Sequence, residues 1–235
     1  MKSSLTRAPF ELDLGRTVAC AGFQVVDYEA IVAELSALPV EGLPERAVAK
    51  RRAEFLAGRL AARTALAALG VESMPGRNED GSPRWPAHVS GSITHGAERA
   101  LCAVARASDV RSLGIDAERL MGPETKAELV ARICSRAELE VLGTLGAPEH
   151  HLVSLAFSAK ESLYKCLYPL VGRYMDFGAA RVVAAQGRAT ESRLAGELTL
   201  ALSVDWSAEL PTGRRLQAQF VASDRHVESA VLLLA

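Results

Sequence analysis

A pair of acidic residues, Asp116 and Glu118, lies in the run LGIDAE of this 235-residue chain, directly after Gly114. If the run is a β-strand, residues two apart point to the same side, which puts the two carboxylates about 7 Å apart. Carboxylates on one face repel each other unless a cation lies between them, and a hard divalent cation such as Mg²⁺ prefers oxygen ligands. The pair is therefore a candidate metal site; the alternative interpretation is a solvated strand end.

A second group of charged residues lies in the segment FSAKESLYK, residues 157–165. With about 100° of rotation per helical residue, Lys160 falls on the apolar side of the predicted helix. A lysine that leans inward needs an anion, or its stem must run along apolar surface toward water. Glu161 and Lys165 are one turn apart on the neighbouring stripe, so they are candidates for chemistry or, alternatively, for a surface ion pair.

Three arginines of a long helical stretch form the third group. Arg52, Arg59 and Arg63 lie within about 40° of one another on an α-helix. Phe55 flanks the same stripe, so the arginines share the face that is expected to pack inward. Guanidinium groups that converge beside a core suit a multiply charged anion, of which phosphate is the commonest. The alternative is a partly buried arginine network that is paired to Glu54 and other acids.

Two polar loops are weaker candidates for ligand binding. The tip SGSITHG, residues 90–96, combines small residues with Thr94 and His95. Such a tip offers backbone N–H groups and an imidazole to an anion. The turn at residues 79–86 is rich in Gly and Pro and can provide a platform for a flat ring. A lone loop histidine and a turn of this kind are each common without a ligand.

Composition limits the classes of function. Lysine plus arginine number 27 and aspartate plus glutamate 28, a net charge of −1 that argues against a nucleic-acid binder or a polybasic membrane binder. Hydrophobic residues make up 49% and charged residues 23%, as in globular domains. No apolar run reaches the roughly 18 residues of a membrane span. The four cysteines form no C-x-x-C pair and no secretory signal is visible, so we expect reduced thiols and a cytoplasmic location.

Together, acids for Mg²⁺ and basic residues for phosphates predict a polyphosphate or a phosphate-rich cofactor as the ligand. The two common nucleotide-binding loops, G-x-x-x-x-G-K-[ST] and G-x-G-x-x-G, do not occur in the sequence. The ligand is therefore expected to bind by other means than a glycine-rich phosphate loop.

Hydrophobic periodicity places these candidates on an α+β framework. Strands are predicted at residues 18–26, 89–94, 100–106, 112–118, 197–204, 215–222 and 227–234, and helices at 28–38, 45–69, 126–143 and 151–168. The last helix is expected to stop at Pro169. The order of strand, helices and strands then repeats, which predicts two similar halves, residues 1–109 and 110–235.

The acid pair after Gly114, followed by the segment FSAKESLYK, resembles the 4′-phosphopantetheinyl transferases of the surfactin type, and most closely their enterobactin-synthase subgroup. The resemblance covers residues 45–178 well and the ends of the chain weakly. Each motif alone is of modest specificity, whereas the two motifs together at this spacing are specific.

The resemblance implies two α+β halves related by a pseudo-twofold axis, with coenzyme A in the cleft between them. Such enzymes act as monomers and use Mg²⁺. They move the phosphopantetheine arm of coenzyme A onto a serine of an apo acyl or peptidyl carrier protein, and adenosine 3′,5′-bisphosphate is the other product. The carriers belong to siderophore, nonribosomal-peptide or polyketide synthesis. The N-terminal half is then expected to bind adenine and the 3′-phosphate, and the C-terminal half to carry the metal-binding acids.

The resemblance also implies roles for individual residues. It implies that Asp116, Glu118 and Glu161 hold Mg²⁺. Glu161, at the metal, is then our candidate for the general base, directly or through a water, and Lys165 is the candidate to offset charge on the leaving group. The implied coenzyme A contacts are Lys160 and Lys165 along the pyrophosphate, and His95 at a phosphate with Thr94 beside it. Arg52 and Arg59 are implied near the 3′-phosphate, assisted by Arg63, and the turn at residues 81–85, with Ser82, Pro83 and Arg84, is implied beside the adenine. Many relatives have Gly-Lys-Pro where this chain has Gly-Ser-Pro at residues 81–83. Arg77 and Arg84 are the candidates to replace the missing lysine.

Two other functions stay open at this point. One is a different Mg²⁺-dependent enzyme that transfers phosphoryl groups or cleaves pyrophosphates without a carrier protein. The other is a non-catalytic module that binds coenzyme A or a carrier. The intact set Asp116, Glu118 and Glu161 argues against the second of these.

Overall fold

The computed structural model describes residues 5–44 and 46–235. Contacts divide the chain into an N-terminal unit, which runs up to Leu113 and includes Leu234–Ala235, and a C-terminal unit, Gly114–Leu233. The sequence prediction placed the division between residues 109 and 110. Among the helices of the described ranges, none combines the length and apolarity needed to cross a bilayer.

The N-terminal unit is built around a three-stranded antiparallel sheet in the order β1-β5-β4. Its elements are β1 (Val18–Gln24), α1 (Tyr28–Leu35), α2 (Ala49–Ala68), β2 (Gly76–Arg77), β3 (Pro83–Arg84), β4 (Val89–Gly96) and β5 (Arg99–Arg106). Strands β2 and β3 form a small hairpin of their own. Asp27 caps α1 by accepting a hydrogen bond from the N–H of Ala30, as an N-cap aspartate does.

Alanines let α2 lie close to this sheet. Ala53, Ala57 and Ala61 recur every fourth residue along α2 and are fully buried. Their methyl groups are short, so the helix and sheet backbones can approach each other. Gly58 continues the same surface, because an added Cβ would lie 3.0 Å from Ile93 of β4. This packing brings the arginine-bearing helix against β4, and the segment SGSITHG, predicted as the tip of a strand, forms most of that strand.

The C-terminal unit is built around a five-stranded sheet in the order β6-β10-β9-β8-β7. Its elements are β6 (Val110–Arg119), α3 (Ala127–Ile133), α4 (Arg136–Gly143), α5 (Glu149–Val171), a 3₁₀ helix (Phe177–Ala179), β7 (Ala180–Ala189), β8 (Leu194–Leu202), β9 (Arg215–Ala222) and β10 (His226–Leu234). The mixture of helices and largely antiparallel sheets confirms the predicted α+β class.

The helix predicted at residues 126–143 is two helices, α3 and α4. Cys134 is extended and breaks the run, and Ser135 caps α4. The Ser135 hydroxyl accepts a hydrogen bond from the N–H of Glu138, whose carboxylate accepts one from the N–H of Ser135. This reciprocal pairing is a capping box, and it starts a new helix where propensity alone predicts a continuous one.

Helix α5 is longer than predicted at both ends. It passes through Pro169 and ends where Gly172 adopts a left-handed φ of +63° and donates a hydrogen bond to the carbonyl of Tyr168. Proline near the end of a helix removes only one N–H, and two further residues still fit before the glycine cap. Helix α2 begins at Ala49, whereas its predicted start, Glu45, lies outside the described residues.

Strand β7 was not predicted from the sequence. It is the edge strand of the sheet and most of its side chains are exposed. The alternation that marks a half-buried strand is therefore weak. A register shift between Val182 and Ala184 interrupts the alternation further.

Helix α5 approaches strands β6 and β10 closely through small residues. A Cβ added to Gly114 would overlap the carbonyl oxygen of Ser162, so glycine is needed at that point. The buried hydroxyls of Ser158 and Ser162 lie 2.8 Å and 2.7 Å from the hydroxyl of Ser229 on β10. This contact sets the part of β6 that carries Asp116 beside the second half of α5.

We expect Gly114→Ala to lower the free energy of unfolding by about 2 kcal/mol or more, because α5 and β6 must move apart to admit the methyl group. Urea denaturation followed by circular dichroism measures the change. Gly143→Ala is the matched control, since an added Cβ there meets nothing within 4 Å and alanine favours a helix. Equal stability of the two variants would contradict the close-packing account.

Candidate functional site

The C-terminal unit carries an acidic group formed by Asp116 and Glu118 on β6 and Glu161 on α5. Asp116 is its most buried member. This residue is only 2% exposed, and its Oδ1 accepts a hydrogen bond of 2.6 Å from Nζ of Lys165 on α5. Glu118 is half-buried and lies two residues further along the strand, so it is on the same face as Asp116. A strand and a helix that are distant in the chain thus bring opposite charges into contact.

Glu161 lies one helical turn before Lys165 and belongs to the same electrostatic group. Burial raises the pKa of Glu161 above its usual range, the Lys165 ammonium lowers it, and the Asp116 carboxylate raises it again, with a net upward shift. Glu161 is therefore near both partners of the ion pair. A carboxyl with a raised pKa is a better proton acceptor than an ordinary surface glutamate. Tyr164 and Phe177 line the same small recess as Glu161.

The residue types of this acidic group suit a hard divalent cation, although within the described residues the carboxylates of Asp116, Glu118 and Glu161 do not all come within 4.8 Å of one another. Asp116, Glu118 and Glu161 carry carboxylate oxygens, the ligands that Mg²⁺ prefers. Burial is the largest cause of the raised pKa of Glu161, and the Asp116 carboxylate adds to the rise. The Lys165 ammonium already lies against Asp116, so the group attracts positive charge. Acids of this kind can hold a cation, and a cation held there can bind phosphate oxygens.

Lys160 has partners apart from Asp116, Glu118 and Lys165, and the pyrophosphate contact that the resemblance implies for it stays a prediction. Its Nζ is buried, with the residue 4% exposed, and lies 2.7 Å from Oε1 of Glu138. The same ammonium donates hydrogen bonds to the carbonyls of Ile133 at 2.7 Å and Phe177 at 3.0 Å. An ammonium has three N–H donors, and these three partners occupy them all. Helical periodicity turns Lys160 to the apolar side, where Glu138 supplies its anion.

Sequence analysis missed Glu138, the anion that an inward-leaning lysine requires. Its Oε1 also accepts the N–H of Val182 at 3.0 Å, and its Oε2 accepts the N–H and hydroxyl of Ser135 at 2.9 Å and 2.8 Å. Burial raises the pKa of Glu138, but hydrogen bonds from Lys160, Ser135 and Val182 outweigh burial and bring the pKa below its usual range. The spacing Ser135-x-x-Glu138, a capping-box pattern, was the available sequence signal.

The three arginines predicted on one stripe of α2 differ in burial. Arg59 is 3% exposed, its guanidinium lies 5.0 Å from the Phe55 ring centroid, and burial followed by the charge of Arg77 lowers its pKa. Arg52 is half-buried and Arg63 is exposed. Within the described residues, Nε of Arg52 and Nη1 of Arg59 are buried and make no hydrogen bond. Buried cationic donors without an acceptor are costly, so an anion at this face would stabilise them.

The turn that precedes β4 adds Arg77 and Arg84 to the arginines of α2, and together they form a basic cluster. Arg84 donates hydrogen bonds to Oε2 of Glu41 at 2.7 Å and to the carbonyl of Arg77 at 2.8 Å. Arg77 is near enough to Arg59 to lower its pKa, which joins the turn and α2 in one group. Pro83 opens β3. Its neighbour Ser82, where the resemblance expects lysine, bonds to Oδ1 of Asp80 at 2.6 Å and stabilises the turn.

His95 and Thr94 lie on opposite faces of β4, so the structure separates the two residues that the sequence analysis paired. Nε2 of His95 is 2.6 Å from Nη1 of Arg51, and Nδ1 is 3.6 Å from Oε2 of Glu54. Because arginine can only donate, Nε2 is the acceptor and Nδ1 carries the proton. Thr94 is buried on the other face. Arg51 was not predicted, since it lies off the arginine stripe; its long side chain reaches His95 from there.

Two family models match this chain. Residues 39–105 match the model described as the 4′-phosphopantetheinyl transferase N-terminal domain. Residues 112–221 match the model described as the 4′-phosphopantetheinyl transferase superfamily. The first match covers the basic cluster and the second covers the acidic group.

Curated proteins with similar sequences include a 4′-phosphopantetheinyl transferase and enterobactin synthase components. The chain is 46% identical to 4′-phosphopantetheinyl transferase Svp of Streptomyces mobaraensis over 142 residues, which are 58% of this chain and 56% of that protein. It is 41% identical to enterobactin synthase component D of Salmonella typhi over 116 residues, 49% of this chain and 48% of the relative. It is 37% identical to enterobactin synthase component D of Escherichia coli K12 over 165 residues, 70% and 76% of the two chains. The chain thus spans about half the length of the first two relatives.

The lowered pKa of Glu138 predicts an acid-sensitive contribution to stability. A carboxyl group whose pKa is lower in the folded protein than in the unfolded chain stabilises the fold at pH values above its unfolded pKa of about 4.3. This contribution is lost as the pH falls through the lower pKa of the folded state. We expect the difference in unfolding free energy between the unmodified protein and Glu138→Gln to shrink as the pH falls from 7 to 3. Urea denaturation at each pH measures it, and a difference that is constant over this range would contradict the prediction.

Proposed function

Since this chain belongs to the 4′-phosphopantetheinyl transferase superfamily, we propose that it transfers the 4′-phosphopantetheine arm of coenzyme A to a serine hydroxyl of an apo carrier protein. In this reaction a bond forms between the serine oxygen and the phosphorus of the arm. The pyrophosphate bond of coenzyme A breaks, and adenosine 3′,5′-bisphosphate leaves. The observation that carries the proposal is the contact of Asp116 on β6 with Lys165 on α5, with Glu161 beside both.

Asp116, Glu118 and Glu161 are the proposed holders of Mg²⁺. When bound, Mg²⁺ supplies positive charge to the pyrophosphate and to the leaving phosphate. Glu161 accepts the proton of the attacking serine, directly or through a water. Lys165, held by Asp116, contributes a further positive charge toward the leaving group.

The basic cluster of the N-terminal unit is the proposed site for the 3′-phosphate of coenzyme A. Arg52 and Arg59 each have a buried N–H that donates no hydrogen bond to any described residue. A phosphate oxygen can accept hydrogen bonds from both. Arg77, which acts electrostatically on Arg59, is a candidate to replace the lysine that Ser82 lacks. Exposed Arg63 assists from the next turn of α2.

Carrier proteins of siderophore or nonribosomal-peptide synthesis are the proposed protein substrates. This choice follows from relatives named enterobactin synthase component D, and it is an inference for this chain. The cysteines Cys20, Cys102, Cys134 and Cys166 are free thiols, which supports a reducing, cytoplasmic environment.

Mass spectrometry of a purified apo carrier tests the function directly. With coenzyme A and Mg²⁺ we expect the carrier to gain the mass of one phosphopantetheine arm, and Glu161→Ala to reduce the rate by about 100-fold or more, because the general base is lost. Glu140→Ala, at an exposed residue of α4, is the matched control and should keep full activity.

Other outcomes of this assay distinguish the competing functions. Cleavage of coenzyme A without modification of the carrier would indicate a different pyrophosphate-cleaving enzyme. Binding of coenzyme A with neither product would indicate a non-catalytic module. Full activity of folded Glu161→Ala would exclude Glu161 as the base.

We further expect Arg52→Ala to raise KM for coenzyme A about tenfold or more while kcat changes less, because a charge-assisted contact to phosphate is lost in the ground state and the transition state alike. Steady-state kinetics with varied coenzyme A measures both constants. Arg188→Ala removes an exposed arginine of β7 and serves as the charge-matched control. An unchanged KM in Arg52→Ala would argue against the proposed phosphate contact.

A further inference from the structure

Lys160, which forms a buried ion pair with Glu138, directly precedes Glu161 in the chain. We propose that Lys160 is a positioning residue, whose bonds to Glu138, Ile133 and Phe177 fix the helical turn that presents Glu161 to the substrate. The inference rests on the proposed function, because Glu161 needs a fixed position only if it accepts a proton or holds a metal ion.

Lys160 joins segments that are separate in the chain. Its ammonium bonds to the last residue of α3 through the Ile133 carbonyl and to the 3₁₀ helix through the Phe177 carbonyl. The ion pair with Glu138 adds α4. Because these bonds use every N–H of the ammonium, its position is fixed by three directional contacts rather than by packing alone.

Glu138 is equally well anchored. Oε1 takes the N–H of Val182 on β7 in addition to Lys160, and Oε2 takes both donors of Ser135 at the start of α4. Both charged residues are almost fully buried. A fully satisfied polar network in a low-dielectric interior is rigid, so the anchor of Lys160 does not move.

The turn of α5 that carries Glu161 is therefore held from two sides. Ser158 and Ser162 bond to Ser229 on the sheet side, and Lys160 bonds toward α4 on the other. Fixing these residues fixes both the rotation of the helix about its axis and its position along that axis. Glu161, between Lys160 and Ser162, is then directed into its recess without a bond of its own to the anchor.

The same ammonium also contacts the 3₁₀ helix that contributes to the lining of that recess. Phe177 lines the recess together with Glu161 and Tyr164, and its carbonyl is a partner of Lys160. The Phe177 ring additionally packs on Phe157 of α5, with 5.2 Å between ring centroids. A single lysine thus sets the distance between the proposed base and the segment that lines the recess with it.

An apolar pair of similar volume would fill the space that Lys160 and Glu138 occupy. Replacing a buried ion pair by apolar residues is often neutral or stabilising, whereas removing one partner alone is strongly destabilising. A methionine at residue 160, however, cannot bond to the carbonyls of Ile133 and Phe177. Stability and positioning can therefore be separated by experiment.

The test compares Lys160→Met, Glu138→Gln and the double variant Lys160→Met/Glu138→Leu in the carrier-modification assay, with thermal unfolding of each. We expect the single Lys160→Met variant to have a lower Tm and the double variant to recover part of it, because Val182 and Ser135 also lose the carboxylate that accepts their hydrogen bonds. We expect kcat to fall at least about tenfold in both, with KM for coenzyme A within about threefold, since small displacements of a catalytic group are costly. Glu138→Gln should lower kcat in the same sense.

Val153→Ala is the control for stability, because Val153 is a buried residue of α5 two turns before the anchored segment. It should lower Tm and leave kcat unchanged at temperatures well below Tm. A double variant with unchanged kcat would overturn the proposal and leave the ion pair a purely stabilising role. A rise in KM for coenzyme A in Lys160→Met, with Glu138→Gln silent, would overturn it in favour of a direct phosphate contact.

These outcomes are distinct from failure of the proposed function. If the unmodified protein does not transfer the arm to any carrier tested, the function is wrong and the positioning role falls with it. If the unmodified protein is active and the double variant is equally active, only the positioning role is wrong.

Discussion

The close approach of helix α5 to strand β6 at Gly114 is the contact on which the acidic group depends. The two backbones come near enough that a Cβ at residue 114 would overlap the carbonyl of Ser162. At this separation Lys165 can reach Asp116 with a hydrogen bond of 2.6 Å. A larger residue would push the helix outward, separate the opposite charges, and change the burial that raises the pKa of Glu161.

The segment FSAKESLYK performs two tasks with residues that face different directions. Ser158 and Ser162 bond to the sheet, and Lys160 bonds to Glu138 inside the unit. Glu161 and Lys165, one turn apart, remain for chemistry. Since consecutive helical residues are rotated by about 100°, a base and its anchor can be neighbours in the chain and still serve different environments.

The basic cluster has a different physical basis. Arg59 is buried beside Phe55 and near Arg77, so its surroundings disfavour its charge and lower its pKa. Arg59 also has a buried N–H that donates no hydrogen bond to any described residue. A bound anion therefore stabilises this buried cation more than it would stabilise an exposed arginine. Burial therefore distinguishes Arg59 and Arg52 from Arg63, which shares their stripe but is exposed.

Local patterns in the sequence determined the α+β class, the positions of most elements, the acid pair on a strand and the inward lean of Lys160. These features follow from periodicity, which decides which side of its own element a residue faces. Thr94 and His95 are consecutive residues of a strand, so they face opposite sides of it. The edge strand β7 carries a weak pattern because it is little buried.

Only the tertiary structure decided which partner each of these side chains meets. Lys160 bonds to Glu138 of α4, and His95 contacts Arg51 of α2. The break at Ser135 likewise depends on Glu138, whose carboxylate serves the cap of α4 and the lysine of α5 together. The physical reason is that a partner comes from the packing of elements distant in the chain, which depends on shapes and charges that no local window contains.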